Sequence, residues 1–265
     1  MGYRNLTTAH CDSMGKAILS SKEWLSLLGS VGERIEDVKL VLNKSGTMEY
    51  DVAHSSHYIH YKKTYPEAVK ESGHLTFTDL KKTKTFLKKC KSDVTIQQSA
   101  TRLSLKCGSM KMTLPILDCK STQLAPTLSK LTLNAKNGQW GSFGRGTFTT
   151  HGETSFSDLI DGANIAKSLS ADSDFLIKAN ADEKELVLHA YKQGGAAIIC
   201  TATIENAQGP NHTVSSSFGP WLLSCLSVLE PNIKSTFHCG DSTVLAVEQS
   251  GEGWERTIVV IDQQV

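Results

Sequence analysis

The chain has 265 residues, 39% hydrophobic and 21% charged, with 28 Lys and Arg against 27 Asp and Glu. That composition belongs to a folded globular protein long enough for two ordinary domains, and it excludes disordered and fibrous classes. No run approaches the eighteen apolar residues of a membrane span, and the start of the chain lacks a basic segment followed by an apolar run, so neither a membrane helix nor a secretory signal is expected.

The near-balance of charge hides an asymmetry. Residues 1–120 carry 19 basic against 12 acidic side chains, and 121–265 carry 9 against 15, which suggests a polyanionic partner for the first half. Seven cysteines, at 11, 90, 107, 119, 200, 225 and 239, form no CxxC pair. Reduced thiols in an intracellular protein are the expectation.

In chain order one pattern comes round four times: a strand, a capped helix with an apolar face, then three strands. The first repeat has a strand over 16–20, a cap at Ser21, a helix over 22–31 with Trp24, Leu25, Leu27, Leu28 and Val31 inward, and strands near 38–43, 48–54 and 57–63. The second has a strand from His74, a cap at Thr78, a helix starting at Asp79, and strands near 94–98, 102–107 and 111–117. The third has strand residues 147–151 and 155–156, a cap at Ser157, a helix over 158–169, and strands near 175–179, 185–190 and 196–204. The fourth has a strand over 213–218, a cap at Gly219, Pro220 in the first helical position, a helix to 229, and strands near 233–238, 244–248 and 257–261. Each cap precedes a strand-opening Asp37, Asp93, Asp174 or Asn232 by 13 to 17 residues.

Between repeats two and three an extra stretch, with Pro126 among Ser, Thr, Asn and Lys, reads as a linker. The predicted organisation is an N-terminal domain over 1–117, a connector over 118–139 and a C-terminal domain over 140–265. Two helices on one face of antiparallel sheets in each domain make the fold class α+β.

The sharpest local signal is the second helix, Leu80-Lys-Lys-Thr-Lys-Thr-Phe-Leu-Lys-Lys-Cys-Lys. Read as one helix, Leu80, Thr83, Phe86, Leu87 and Cys90 cover an arc of about 120°, and Lys81, Lys82, Lys84, Lys88, Lys89 and Lys91 fill the rest. No acidic residue lies inside this stretch to give i,i+4 pairs. A charged run is ordinarily a solvated face. Six uncompensated lysines repel one another, however, and phosphate oxygens offset that repulsion through counterion release. Lysine is a flexible point charge, so the implied grip on nucleic acid is independent of base sequence.

Other features carry less. His54, His57 and His60, read on one strand, alternate faces and do not converge on a metal. Gly141-Ser-Phe-Gly-Arg-Gly lacks the Gly-Lys-Ser/Thr ending of a phosphate loop and reads as a loop or hairpin. His238 and Cys239 are adjacent at a strand end and point to opposite faces. With no Gly-x-Ser-x-Gly elbow and no nucleophile or carboxylate constellation, neither enzymatic activity nor a cofactor or metal is expected.

The fourfold arrangement from about Lys16 to Ile261, with the lysine helix, the central connector and the phrases Ser92-Asp-Val-Thr-Ile, Arg102-Leu-Ser-Leu and Thr257-Ile-Val-Val-Ile-Asp, resembles the DNA sliding clamps of the proliferating cell nuclear antigen type, including phage and viral members. The resemblance implies a two-domain sliding-clamp (DNA clamp) fold of four βαβββ units whose subunits close as homotrimeric rings, helices inward, around double-stranded DNA. Bacterial relatives use three domains per subunit and dimerise, more chain than is present here. By the same resemblance the six lysines line the channel. The strand bearing Lys111, Met112, Leu114 and Ile116 joins the strand bearing Ala196, Ile198, Cys200 and Ala202 of the next subunit. A partner pocket takes in Leu124, Pro126 and Leu128 with Val260 and Ile261, and also Met48 and Tyr50.

The implied role is that of a DNA replication processivity factor, a DNA polymerase accessory protein. It tethers DNA polymerase and other replication proteins, is opened by an ATP-driven clamp loader, and acts inside the cell at replicating DNA without membrane contact. The sequence departs from even lysine use: the third helix presents Asp158 and Asp161, the fourth has no charge before Glu230, and the first sets Lys22 against Glu23. DNA contact is therefore expected mainly on one helix, with Lys62, Lys63 and Lys106 as possible additions. Two alternatives stay open: a monomeric or dimeric viral-type processivity factor that does not close, and a checkpoint or scaffold subunit.

Overall fold

The computed structural model describes residues 14–121, 130–136, 139–144, 146–192 and 197–263. The elements in chain order begin with β1 (Lys16–Ser20), α1 (Ser21–Gly29), β2 (Val38–Leu42), β3 (Thr47–His54), β4 (His57–Thr64) and β5 (Val69–Glu71). Then come β6 (Gly73–Phe77), α2 (Leu80–Leu87), β7 (Asp93–Gln98), β8 (Arg102–Cys107) and β9 (Met110–Pro115). The second half has β10 (Leu131–Lys136), β11 (Gln139–Phe143), β12 (Gly146–Phe148), β13 (Thr150–Thr154), α3 (Ser157–Leu169), β14 (Asp174–Asn180), β15 (Glu185–Tyr191) and β16 (Ile198–Thr203). It ends with β17 (Glu205–Gln208), β18 (Val214–Phe218), α4 (Trp221–Leu226), β19 (Ser235–Cys239), β20 (Leu245–Gly251) and β21 (Trp254–Val260). The chain divides into two compact units, one built from Met1–Leu28, Glu36–Tyr50 and Lys62–Lys120, the other from Gly29–Ile35, Asp51–Tyr61 and Ser121–Val265.

In the first unit the two repeats exchange their opening strands. β1 leaves its own repeat to pair antiparallel with β7, setting Ala17 opposite Ile96 and Leu19 opposite Val94. β6 crosses the other way onto β2, with Val38 opposite Phe77 and Leu40 opposite Leu75. The resulting sheet runs β5-β1-β7-β8-β9. Its strands alternate, with Val94, Ile96, Leu103 and Leu105 buried and Arg102 and Lys106 exposed, as a sheet with one covered face requires. Helix α1 covers that face with Trp24, Leu27 and Leu28, and Trp24 donates its Nε1–H to the carbonyl of Val94, 2.9 Å away on the other repeat's strand. The buried Gln98 side chain accepts the Thr76 N–H at 2.6 Å and so links β7 to β6.

The second unit repeats the exchange. β13 pairs with β19 in the order β17-β13-β19-β20-β21, and β18 pairs with β14 in the order β18-β14-β15-β16. Gly152 lies opposite Phe237 in one pair and Phe175 opposite Phe218 in the other. Residues 51–61 pack with this unit: Ser56 accepts the Ile261 N–H at 2.9 Å, and the buried Arg256 guanidinium lies over the rings of Tyr61 and Trp254.

The predicted elements recur with instructive shifts. Each helix is capped one residue from the expected position. Ser20, not Ser21, closes a capping box, exchanging hydrogen bonds with the Glu23 carboxylate and the Glu23 N–H. Asp79, not Thr78, caps α2, while the Thr78 hydroxyl donates to the Pro115 carbonyl at the end of β9. Phe156 and Pro220 precede α3 and α4 without side-chain caps. Asn232 does not open a strand: the Gln249 side chain takes up the carbonyls of Glu230 and Ile233, and β19 starts only at Ser235. Within the stretch read as a linker, β10 pairs with β11, and the glycine-rich segment after it is the β11–β12 hairpin, turning at Gly144 with φ 60°. The short β5 and β17 were not foreseen, being three and four residues long.

Helix α3 lies on β15 and β16, and at Gly162 the approach is closest: a Cβ there would sit 2.0 Å from Cys200 Sγ and 3.1 Å from Cys200 Cβ. A glycine-to-alanine change in an open helix gains about 1 kcal/mol. Here overpacking reverses the sign. Gly162→Ala is expected to lower stability by about 1–3 kcal/mol in urea unfolding, and adding Cys200→Ala to recover part of the loss.

Candidate nucleic-acid interface

Helix α2 is specified locally. The Asp79 carboxylate accepts the Lys82 N–H at 2.8 Å, and Leu80, Thr83 and Leu87 turn inward. The helix is shorter than the lysine run. Lys88 still donates its N–H to the Lys84 carbonyl, but Lys89 and Cys90 bond back only three residues, to Phe86 and Leu87, so the last turn tightens and the helix stops. Lys89 and Lys91 therefore project from the turn after the helix and not from its face. Lys81, Lys82, Lys88, Lys89 and Lys91 are exposed and Lys84 is half-buried.

The face is also less uniformly cationic than the run itself suggests. Asp79, just outside it, holds Lys82 Nζ at 2.9 Å. The backbone hydrogen bond from Lys82, followed by that side chain's own contact, holds the Asp79 carboxyl below the usual range. Lysines at the C-terminal turn add a favourable interaction with the helix dipole. Lys106 faces elsewhere: it alternates on β8 with Cys107, whose sulfur meets the Cys90 thiol at the end of α2, so Lys106 points to the opposite side of the sheet. Lys63 lies over the Tyr65 ring, 5.0 Å from its centroid.

β9 ends its sheet in the first unit and β16 ends its sheet in the second, as β5 and β18 do at the opposite ends. On β9 Lys111 is exposed, Met112 half-buried and Leu114 buried, with Ile116 half-buried just beyond; on β16 Ile198 and Cys200 are half-buried and Ala202 buried. Ala196 lies outside the described residues. Of the six large apolar side chains exposed among the described residues, Met110 and Leu117 flank β9, while Ile199 is on β16 and Ile165 and Leu169 are on the helix packed against it.

No family model and no curated protein sequence matches the chain. Solved structures do. A. fulgidus PCNA bound to the C-terminal region of FEN-1 is 10% identical with a TM-score of 0.66, over 94% of this chain and 98% of that one. PCNA of Thermococcus kodakaraensis is 13% identical with a TM-score of 0.65, over 94% and 100%. The DNA polymerase III beta chain of Streptococcus pneumoniae is 13% identical with a TM-score of 0.66, over 99% of this chain and 67% of that one. The chain has the α+β sliding-clamp fold.

On this clamp fold the four helices differ in chemistry. Glu23 of α1 is engaged in its capping box, α3 exposes Asp158 and Asp161, and α4 carries no charge. Of the residues expected in a partner pocket, Leu124, Pro126 and Leu128 lie outside the described residues. Met48, Tyr50 and Val260 are buried, the first two on one side of β3 and Val260 in a run, 258–260, buried throughout; Ile261 is half-buried. Sequence reading missed the apolar rim around Ile261: Tyr58, Leu131, Leu133 and Phe143 pack half-buried on Phe148, Val244, Ala246 and Val259. The alternation Leu131-Thr-Leu133, inside a stretch read as linker, was its signal.

The histidines also sit differently from the expectation. Ser55 and Ser56 form a hairpin turn, so His54 and His57 are on facing strands, stacked with ring centroids 5.6 Å apart. Burial pushes buried His57 down to about 4, with His54 and Arg34 adding to the shift. His60 bonds Asp51 at 2.8 Å, and His238, next to the buried Cys239, pairs with Glu248 at 3.1 Å. No group of three metal-binding side chains converges, and no helix is long and apolar enough to cross a membrane, among the described residues.

The Asp79 cap has a pH signature. Its carboxyl is depressed in the folded state, so its stabilisation is complete above the unfolded value near ~4 and is lost as pH falls through the lower folded one. Asp79→Ala is expected to cost about 1 kcal/mol at neutral pH, and the gap in melting temperature from wild type to close below about pH 4.

Proposed function

We propose that this chain is a DNA polymerase sliding clamp, a non-enzymatic processivity factor that encircles duplex DNA without reading its sequence. The observation that carries the reading is the lysine-faced α2 on a clamp fold. Lys81, Lys84, Lys88, Lys89 and Lys91, with Lys82 weakened by Asp79, contact phosphates and release counterions. Holding DNA topologically lets a tethered polymerase rebind at high effective concentration.

These sheet edges support self-association. β9 and β16 are different surfaces, so their pairing between copies is heterologous and closes into a ring if the rotation permits, here a homotrimer. Exposed apolar side chains gather at both edges; α2 with its lysines is tied to β9 through Thr78, and α3, with Asp158 and Asp161 against Lys167, lies on β16. On this reading 1–117 and 140–265 are the two clamp domains and 118–139 the connector. The half-buried rim of Leu131, Leu133, Phe143, Tyr58 and Ile261 is where apolar anchors of polymerase or loader peptides dock. The A. fulgidus PCNA structure has the C-terminal region of FEN-1 bound to it.

Light scattering is expected to give three subunits per particle, with retention on closed circular DNA at high salt and release once the circle is cut. One or two subunits and equal release from both DNAs would instead establish the open processivity factor. Replacing Lys81, Lys88 and Lys89 by Ala is expected to reduce the slope of log affinity against log salt by roughly 3, and Lys106→Ala to change it less. Unaltered DNA affinity in the triple variant would leave a scaffold that binds no DNA through α2.

A further inference from the structure

The C-terminal turn of α2 brings two cysteines together. The Cys90 sulfur neighbours that of Cys107 at the end of β8, and both residues are nearly covered, 7% and 4% exposed. The cover is thin: Lys89, Lys91, Ser92, Gly108 and Ser109 beside them are all exposed. The Ser92 hydroxyl lies 3.4 Å from Cys107 Sγ, and the backbone N–H groups of Lys91 and Ser92 also point to that sulfur. Cys90 Sγ lies 3.5 Å from the Phe86 carbonyl. One sulfur is thus surrounded by donors, and the other is itself a donor.

We propose that Cys107 and Cys90 form an oxidation site for peroxides, Cys107 reacting first and Cys90 resolving the product into a disulfide that joins the end of α2 to β8. The protonation states fit these roles. The Ser92 hydroxyl holds the Cys107 thiol below its ordinary value against the opposing effect of burial, whereas burial pushes Cys90 up to about 11, helped by Cys107. Cys107 is therefore the more readily ionised thiol of the pair.

In the first step the Cys107 thiolate attacks a peroxide oxygen, the O–O bond breaks, and Cys107 becomes a sulfenic acid as an alkoxide or hydroxide leaves and is protonated. In the second, Cys90 sulfur attacks Cys107 sulfur and displaces hydroxide, which leaves as water with the Cys90 proton. Two thiols and one hydroperoxide give one disulfide, one alcohol or water, and one water. The two electrons pass from sulfur to the peroxide. Elsewhere, Cys225 and Cys239 are fully buried and pushed far upward by burial, which makes them unreactive references.

The site stands apart from the clamp reading, and its test needs no DNA. The reduced full chain is exposed to hydrogen peroxide, alkylated, denatured and digested. A peptide linking Cys90 to Cys107, lighter than its two thiol parts by about 2 Da and released by dithiothreitol, is expected. In the reduced protein at neutral pH, Cys107 is expected to alkylate at least about tenfold faster than Cys90. In Cys90→Ala, which must first show the wild-type circular dichroism, a dimedone-trappable sulfenic acid should remain on Cys107. Recovery of both thiols unlinked after exposure to hydrogen peroxide would overturn the site. Alkylation of Cys90 ahead of Cys107 would overturn the assignment of roles, a result that needs no variant.

Discussion

Each repeat surrenders its opening strand to its neighbour, and most of the rest of the molecule follows from that exchange. β1 on β7 and β6 on β2, then β13 on β19 and β18 on β14, place backbone hydrogen bonds between segments that are far apart in sequence. No single repeat then has a complete sheet or a covered apolar face of its own, so folding is a property of pairs. Trp24 makes the dependence concrete: the helix of one repeat fills the core with its indole while its N–H is satisfied by Val94 of the other. Burying such a side chain contributes about 1.5–3 kcal/mol, realised only when both repeats are present. The exchange also decides which strands end each sheet, β9 and β16 among them.

On this symmetric frame the chemistry is unsymmetric. Four helices occupy similar places, yet α2 alone carries a run of lysines, α3 exposes carboxylates, and α4 is uncharged. A cap aspartate draws one lysine of the run aside, and a tightened last turn moves two others off the helix. The same tightening brings Cys90 onto Cys107. Electrostatics and thiol chemistry are therefore both products of how one eight-residue helix ends.

Much of the fold was legible in advance because burial alternates with backbone period. Strands such as β7, β8, β14 and β15, and the inward faces of α1 and α2, follow directly from residue spacing. The cap positions were each displaced by one residue, since Ser20 with Glu23 and Asp79 with Lys82 compete with equally suitable neighbours. The parity argument for the histidines failed because it treated them as one strand, although strands read separately at 48–54 and 57–63 already set His54 and His57 across a hairpin. Of the candidate site residues, Lys81, Lys82, Lys88, Lys89 and Lys91 are exposed and Lys84 is half-buried, while Met48, Tyr50 and Val260 lie among the buried hydrophobic side chains.

Local chemistry by itself determined the number of repeats, the kind of element at nearly every position, the lysine face and the expected clamp resemblance. These depend on side-chain period and on charges close together in sequence. Only the tertiary structure decided which strand pairs with which, which strands end each sheet, that Asp79 restrains Lys82, and that Cys90 meets Cys107. Those outcomes join residues by distance in space. A repeat pattern is satisfied equally by strands that stay at home and by strands that exchange, so long-range pairing is what chose between them.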